Sequence, residues 1–90
     1  MSFSVEVHPR VAKALSKLKP AHYQRIYDFL SLLQEEPVPS SLYDVKKLKG
    51  TGDLSVYRVR VGDYRLIYVV DWRTSRIRVL RLERRGSAYK

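Results

Sequence analysis

The chain has 90 residues, no cysteine, two histidines and a net charge of +9, from 18 basic and 9 acidic side chains. This composition excludes a disulfide scaffold, a Cys-ligated zinc and a thiol nucleophile. The length bounds it to a single domain, residues 1–90, whose small core needs nearly every apolar stripe that the sequence supplies.

The charge is unevenly placed. Residues 1–41 hold five basic and four acidic side chains, whereas residues 42–90 hold thirteen and five. A basic half on an otherwise neutral chain is the electrostatic footprint of a polyanion, with nucleic acid ahead of a membrane surface. With neither a signal peptide nor a long apolar run, the chain is expected to be soluble and cytoplasmic, without a membrane partner.

In chain order, Ser2 to His8 alternates Phe3, Val5 and Val7 against Ser4, Glu6 and His8, which predicts a first strand. Pro9 suits the first turn of a helix. Val11, Ala14, Leu15 and Leu18 then follow helical spacing up to the break at Lys19-Pro20. A longer helix opens at Pro20, with a predicted apolar stripe of Tyr23, Ile26, Tyr27, Leu30 and Leu33. Glu36-Pro37-Val38-Pro39 stops it. From there to Asp53 the chain reads as one long connection carrying Lys46-Lys47-Leu48-Lys49 and Gly50-Thr51-Gly52-Asp53. Loops of that length are usually functional or mobile.

The stretch from Val56 to Val70 alternates with period two and breaks only at Gly62-Asp63. That pattern predicts a hairpin with a two-residue loop, in which Gly supplies the positive φ. The register follows: Val61 faces Tyr64, Arg60 faces Arg65, Val59 faces Leu66 and Arg58 faces Ile67. One face carries Tyr57, Val59, Val61, Tyr64, Leu66 and Tyr68; the other gathers Arg58, Arg60 and Arg65. Like charges directly opposite on a sheet are destabilising. The bland reading is a solvated face that blocks edge-to-edge aggregation. A last strand runs from Arg76 to Leu82, with Ile77 and Val79 pointing one way and Leu80 and Leu82 the other, which predicts a bulge or burial on both sides. Glu83 to Lys90 reads as a short basic tail.

The order β-α-α-β-β-β predicts an α+β fold, with a two-helix hairpin on one face of a small antiparallel sheet and the arginine face left open. His8 and His22 fall at helix edges and read as structural or solvated. No sequence motif calls for a metal or a cofactor. Chemistry must then rest on Arg, Lys and Tyr. That set suits RNA phosphodiester cleavage, where the 2′-OH attacks phosphorus and charge grows on the phosphoryl oxygens. Arginine forks match two such oxygens, though the same groups serve equally for holding RNA.

The layout, the run Lys47-Leu48-Lys49-Gly50, the hairpin Tyr57 to Tyr68 and the tail Arg85-x-x-x-Tyr89 together resemble the RelE toxins of the RelE/ParE superfamily, across essentially the whole chain and nearest to archaeal members. The resemblance implies a RelE-like, microbial-RNase-like fold. It also implies a toxin that cuts messenger RNA in the ribosomal A site, partnered by a RelB-like antitoxin. By position it implies catalytic roles for Arg58, Arg60, Arg65, Arg85 and Tyr89. Lys46, Lys47, Lys49 and Arg84 are the expected RNA- or ribosome-binding residues. Two departures matter: Arg58 and Arg60 replace lysines of the bacterial prototype, and Arg84 stands where many relatives have histidine. Arginine does not give up its proton near neutral pH, so electrostatics and positioning must dominate. The alternatives are a ParE-like gyrase inhibitor on the same fold and a non-catalytic RNA- or ribosome-binding module.

Overall fold

A computed structural model of the chain describes residues 2–84. Its elements are β1 (Ser4–Val7), α1 (Pro9–Leu15), α2 (Pro20–Leu33), β2 (Asp44–Thr51), β3 (Leu54–Val61), β4 (Tyr64–Asp71) and β5 (Arg76–Arg84). The α+β class and the helices on one sheet face are as expected. The sheet itself differs in two ways. It has five strands, in the order β1-β5-β4-β3-β2, and the β1–β5 pair is parallel, so the sheet is mixed.

The additional strand is β2, which lies in the stretch expected to be a loop. It pairs antiparallel with β3 around Gly52-Asp53 and forms an edge. Its lysines are what edge strands use against unwanted pairing, and they mask the strand from a propensity reading. The turn is the same dipeptide as Gly62-Asp63 between β3 and β4. In both, the glycine alone has positive φ, +57° at Gly52 and +59° at Gly62, as a two-residue turn with glycine first requires. The β3–β4 register is the expected one, including Arg60 opposite Arg65 and Val61 opposite Tyr64.

The core forms where the period-two face meets the helices. Val59, Leu66, Tyr68, Val70, Ile77 and Val79 are fully buried beneath Val11, Ile26, Phe29 and Leu33. On α2 the buried stripe is turned from the expected one: Ile26, Phe29 and Leu33 face inward, while Tyr23 and Tyr27 are exposed and stack on each other at 6.2 Å. Burying each of Ile26, Phe29 and Leu33 contributes ~1.5–3 kcal/mol. The tyrosines cover the helix flank and keep their hydroxyls in water.

Aromatic contacts extend the core to the sheet. Phe29 meets Tyr43 edge-on at 4.9 Å and Tyr68 at 5.9 Å, and Tyr68 stacks on Tyr57. The Tyr68 hydroxyl donates to the Pro37 carbonyl at 2.8 Å, tying β4 to the connection after α2. His8 caps α1, its Nδ1 accepting from the Arg10 amide at 3.1 Å. His22 packs edge-on against Tyr64 at 5.4 Å. Both histidines therefore have structural contacts. Among the described residues, no helix is long and apolar enough to cross a membrane.

Candidate active site

Strands on either side of the central hairpin complete its arginine face, and each does so through a bulge. On β2 the register shifts between Lys47 and Lys49, leaving Leu48 as the extra residue. Without that shift, counting back from Thr51 opposite Leu54 would set Lys47 opposite Arg58. With it, Lys46 lies opposite Arg58 and Asp44 opposite Arg60. On β5 the extra residue is Leu80: Val79 pairs with Tyr68 and Arg81 with Ile67. This settles the ambiguous facing of the last strand as a bulge. Ile77, Val79 and Leu82 all reach the core side, while Arg81 and Glu83 are delivered to the open face. Re-aiming side chains beside a functional site is a recurrent use of bulges.

Two cross-strand rows result. The first runs Asp44, Arg60, Arg65, Glu83 across β2, β3, β4 and β5, with a carboxylate at each end and two arginines between. The second runs Lys46, Arg58, Ile67, Arg81. Rows on one face are two residues apart, about 6.8 Å. All of their residues but Asp44, together with Leu48, line an open concavity of about 590 Å³.

The ion pairs follow the rows. Glu83 Oε1 accepts from Arg65 Nη2 at 2.9 Å and from Arg65 Nε at 3.3 Å, and its other oxygen lies 3.4 Å from Arg81 Nη2. Asp44 Oδ2 lies 3.5 Å from Arg58 Nη1 and 3.7 Å from Arg60 Nε. Five cations against two carboxylates leave the site at net +3. Arg58 is the most enclosed of the paired arginines, its side chain 13% exposed, and its Nη1 is buried without a hydrogen bond among the described residues. A buried donor in that condition is costly, and an anionic oxygen is the partner that suits it.

Of the residues expected from the sequence, the concavity brings together Lys46, Arg58, Arg60 and Arg65. Lys49 is one row further along the same face, opposite Val56. Lys47 pairs with Tyr57, on the core-facing side, and lays its stem over Gly50. Arg84 pairs with Tyr64, also on that side. The structure thus separates Lys47 and Arg84 from the arginine array. Arg85 and Tyr89 lie outside the described residues.

Asp44, Arg81 and Glu83 were not legible as site residues. Gly52-Asp53 repeats the hairpin dipeptide Gly62-Asp63 and signals a second hairpin that brings the preceding chain beside β3. A regular hairpin there would set Asp44 opposite Val61 on the core side, so the facing of Asp44 depends on the Leu48 bulge as that of Glu83 depends on the Leu80 bulge.

Residues 5–89 match the sequence family described as the ParE toxin of the type II toxin–antitoxin system parDE. A Methanocaldococcus jannaschii protein that carries the name toxin RelE1 is 40% identical over 90 residues, spanning 100% of this chain and 98% of its own length. Among solved structures, the chain is similar to one in the archaeal RelE–RelB complex from Pyrococcus horikoshii, with a TM-score of 0.91 and 50% identity over 96% of this chain and 98% of that one. A RelB–RelE antitoxin–toxin complex from Methanococcus jannaschii matches at a TM-score of 0.73 and 27% identity, covering 94% and 95% of the two chains. Matched along nearly its whole length by sequence and by fold, and with RelE toxins among its named relatives, this chain belongs to the ParE/RelE family of type II toxin–antitoxin toxins.

Proposed function

We propose that the protein is a ribosome-dependent, metal-independent endoribonuclease that cuts messenger RNA in the A site of cytoplasmic ribosomes and thereby inhibits translation, held silent by a RelB-like antitoxin. The observation that carries this reading is the pair of cross-strand rows, which converge Lys46, Arg58, Arg60, Arg65 and Arg81 on one open concavity. A solvated structural face needs no such convergence, and like charges across a sheet work against it.

In the proposed reaction the 2′-OH gives its proton to water and attacks the adjacent phosphorus to form a 2′,3′-cyclic phosphate. The bond to the 5′-oxygen breaks and that oxygen takes up a proton from water, while negative charge grows on the two non-bridging oxygens between. Arg60 and Arg65, opposite each other on β3 and β4, flank that position. Arg58, one row away, offers a further donor to the same phosphate. Fixed cations in a partly enclosed site stabilise developing charge without reorganising at the moment of reaction. None of the arginines is a proton acceptor, so rate comes from charge stabilisation and from the ribosome holding the message in place. Arg85 and Tyr89 keep the catalytic roles that the family resemblance implies. RelB appears with RelE in the solved relatives, which supports an antitoxin of that type for this chain.

The test is primer extension on a translated message with and without the protein. New 3′ ends at A-site codons are expected, and both Arg65→Ala and Arg85→Ala should abolish them while leaving thermal unfolding cooperative. Removal of one such donor lowers the chemical step ~10²–10³-fold. The family description names ParE, so gyrase is the second target to assay. Intact message together with altered DNA supercoiling would replace the ribonuclease reading.

A further inference from the structure

We propose that Glu83 is a positioning residue that sets the orientation of Arg65, and that the Leu80 bulge exists to put it there; the inference rests on the ribonuclease reading above for its functional consequence. Arg65 sits on β4 between two neighbours in one row, Arg60 on β3 and Glu83 on β5. Arg60 repels it. An arginine side chain has several rotatable bonds, and a like charge directly opposite favours swinging away from the array.

Glu83 opposes that swing geometrically. A single oxygen, Oε1, accepts from both Nε and Nη2 of Arg65, at 3.3 and 2.9 Å. Two charge-assisted bonds from one edge of the guanidinium turn that edge toward Glu83 and hold it there. The second oxygen is 3.4 Å from Arg81 Nη2, so the carboxylate is itself held. The Arg65 and Glu83 side chains are only 28% and 25% exposed, which limits screening of the pair by water and salt.

The bulge is what makes this contact possible. In a regular ladder continuing from Val79 opposite Tyr68, Leu80 would pair with Ile67 and Arg81 with Leu66. Leu82 would then stand opposite Arg65, and Glu83 would point toward the helices. The extra residue at Leu80 returns Leu82 to Leu66 and sets Glu83 opposite Arg65. One inserted residue therefore repairs the core and completes the array together.

The experiment compares wild type, Glu83→Gln and Glu83→Ala by two readouts. The first is NMR relaxation of the Arg65 side-chain Nε–H in the isolated protein. It should be ordered in wild type, largely retained in Glu83→Gln, whose amide oxygen accepts the same bonds, and lost in Glu83→Ala. An equally ordered Arg65 in Glu83→Ala overturns the proposal whether or not the protein cuts RNA. The second is cleavage on programmed ribosomes. Glu83→Ala should lower the saturated rate ~10²-fold, the scale of a small misplacement, with little change in KM, and Glu83→Gln should recover most of it with the wild-type pH profile. If Glu83→Gln is as inactive as Glu83→Ala and the acid limb of the profile vanishes, Glu83 is a proton acceptor and the positioning role is wrong. Faster cleavage by Glu83→Ala would make it a restraining latch instead. If wild type leaves the message intact, the ribonuclease reading fails, while the relaxation result still decides what Glu83 does to Arg65.

Discussion

Replacing Arg58 by Met separates a functional arginine from a structural one, because the two readings predict opposite changes in stability. In the folded protein the Nη1 of Arg58 is buried without a hydrogen bond among the described residues. Leaving such a donor unsatisfied costs ~1–3 kcal/mol. Its ion pair with Asp44 spans 3.5 Å, and the Asp44 side chain is 60% exposed, so that pair returns at most ~1 kcal/mol. Lys46 lies directly opposite and adds repulsion. Met keeps an unbranched stem for packing, and Asp44 retains Arg60 as a partner at 3.7 Å. The balance favours Arg58→Met being more stable than wild type by about 1 kcal/mol, a rise in Tm of about 4–8 °C for a domain of this size. Cleavage on programmed ribosomes should fall ~10²–10³-fold at the same time. Differential scanning calorimetry and single-turnover cleavage, run on one preparation, measure both. A Tm lowered by several degrees, or cleavage that stays at the wild-type rate, would refute the reasoning.

The site geometry and the core make three further predictions. Lys46→Gln should flatten the salt dependence of ribosome or RNA binding by ~0.7 in log–log slope, the value for one single-strand phosphate contact, whereas Lys47→Gln on the other face should leave the slope alone; equal effects would mean the rows do not define the RNA surface. Gly62→Ala should destabilise by ~1–2 kcal/mol from its positive φ, since the Arg25 guanidinium that the new methyl would meet at 3.0 Å is the end of an exposed side chain free to swing aside; a chemical denaturation midpoint unchanged from wild type would contradict the assigned turn. Burial, and after it the charge on neighbouring Tyr57, push the Tyr68 phenol well above its ordinary value. The folded protein therefore keeps a proton that the unfolded chain loses near pH 10. The resulting stability is fully present below about pH 10 and declines as the pH rises past it. Tyr68→Phe should cost ~1 kcal/mol at pH 7 through the lost bond to Pro37, and should shrink the alkaline decline. Parallel stability curves for the two proteins above pH 10 would count against this assignment.

On the proposed ribonuclease function, an antitoxin has two routes to silence: covering the arginines, or adding bulk that would keep the complex out of the A site. The second requires contact only elsewhere, and it predicts that Arg65→Ala binds a RelB-like partner within tenfold of wild type, a difference under ~1.4 kcal/mol. Calorimetric titration measures this directly. A loss of several orders of magnitude would make the arginine array the anchor.

What the sequence determined by itself was whatever rests on local stereochemistry. The alternation from Val56 to Val70 and the positive φ demanded at Gly62 were sufficient to set the β3–β4 register and to gather Arg58, Arg60 and Arg65 on one face. Pro9 and Pro20 likewise marked the helix starts. Tertiary structure alone decided the remainder, because each case turns on a partner distant in the chain. Lys46-Lys47-Leu48-Lys49 has no intrinsic preference for a strand and becomes one by pairing with β3. Phe29 takes the core position and leaves Tyr23 and Tyr27 outside because Tyr43, just before β2, and Tyr68, on the core face of β4, pack edge-on against it. β1 runs parallel to β5, a pairing between opposite ends of the described chain that no local pattern encodes. The two bulges are the sharpest case. At Leu80 the side-chain pattern announced an irregularity, yet only the ladder to β4 shows that it places Glu83 against Arg65, since a shift of one residue exchanges every side chain between the two faces of a strand.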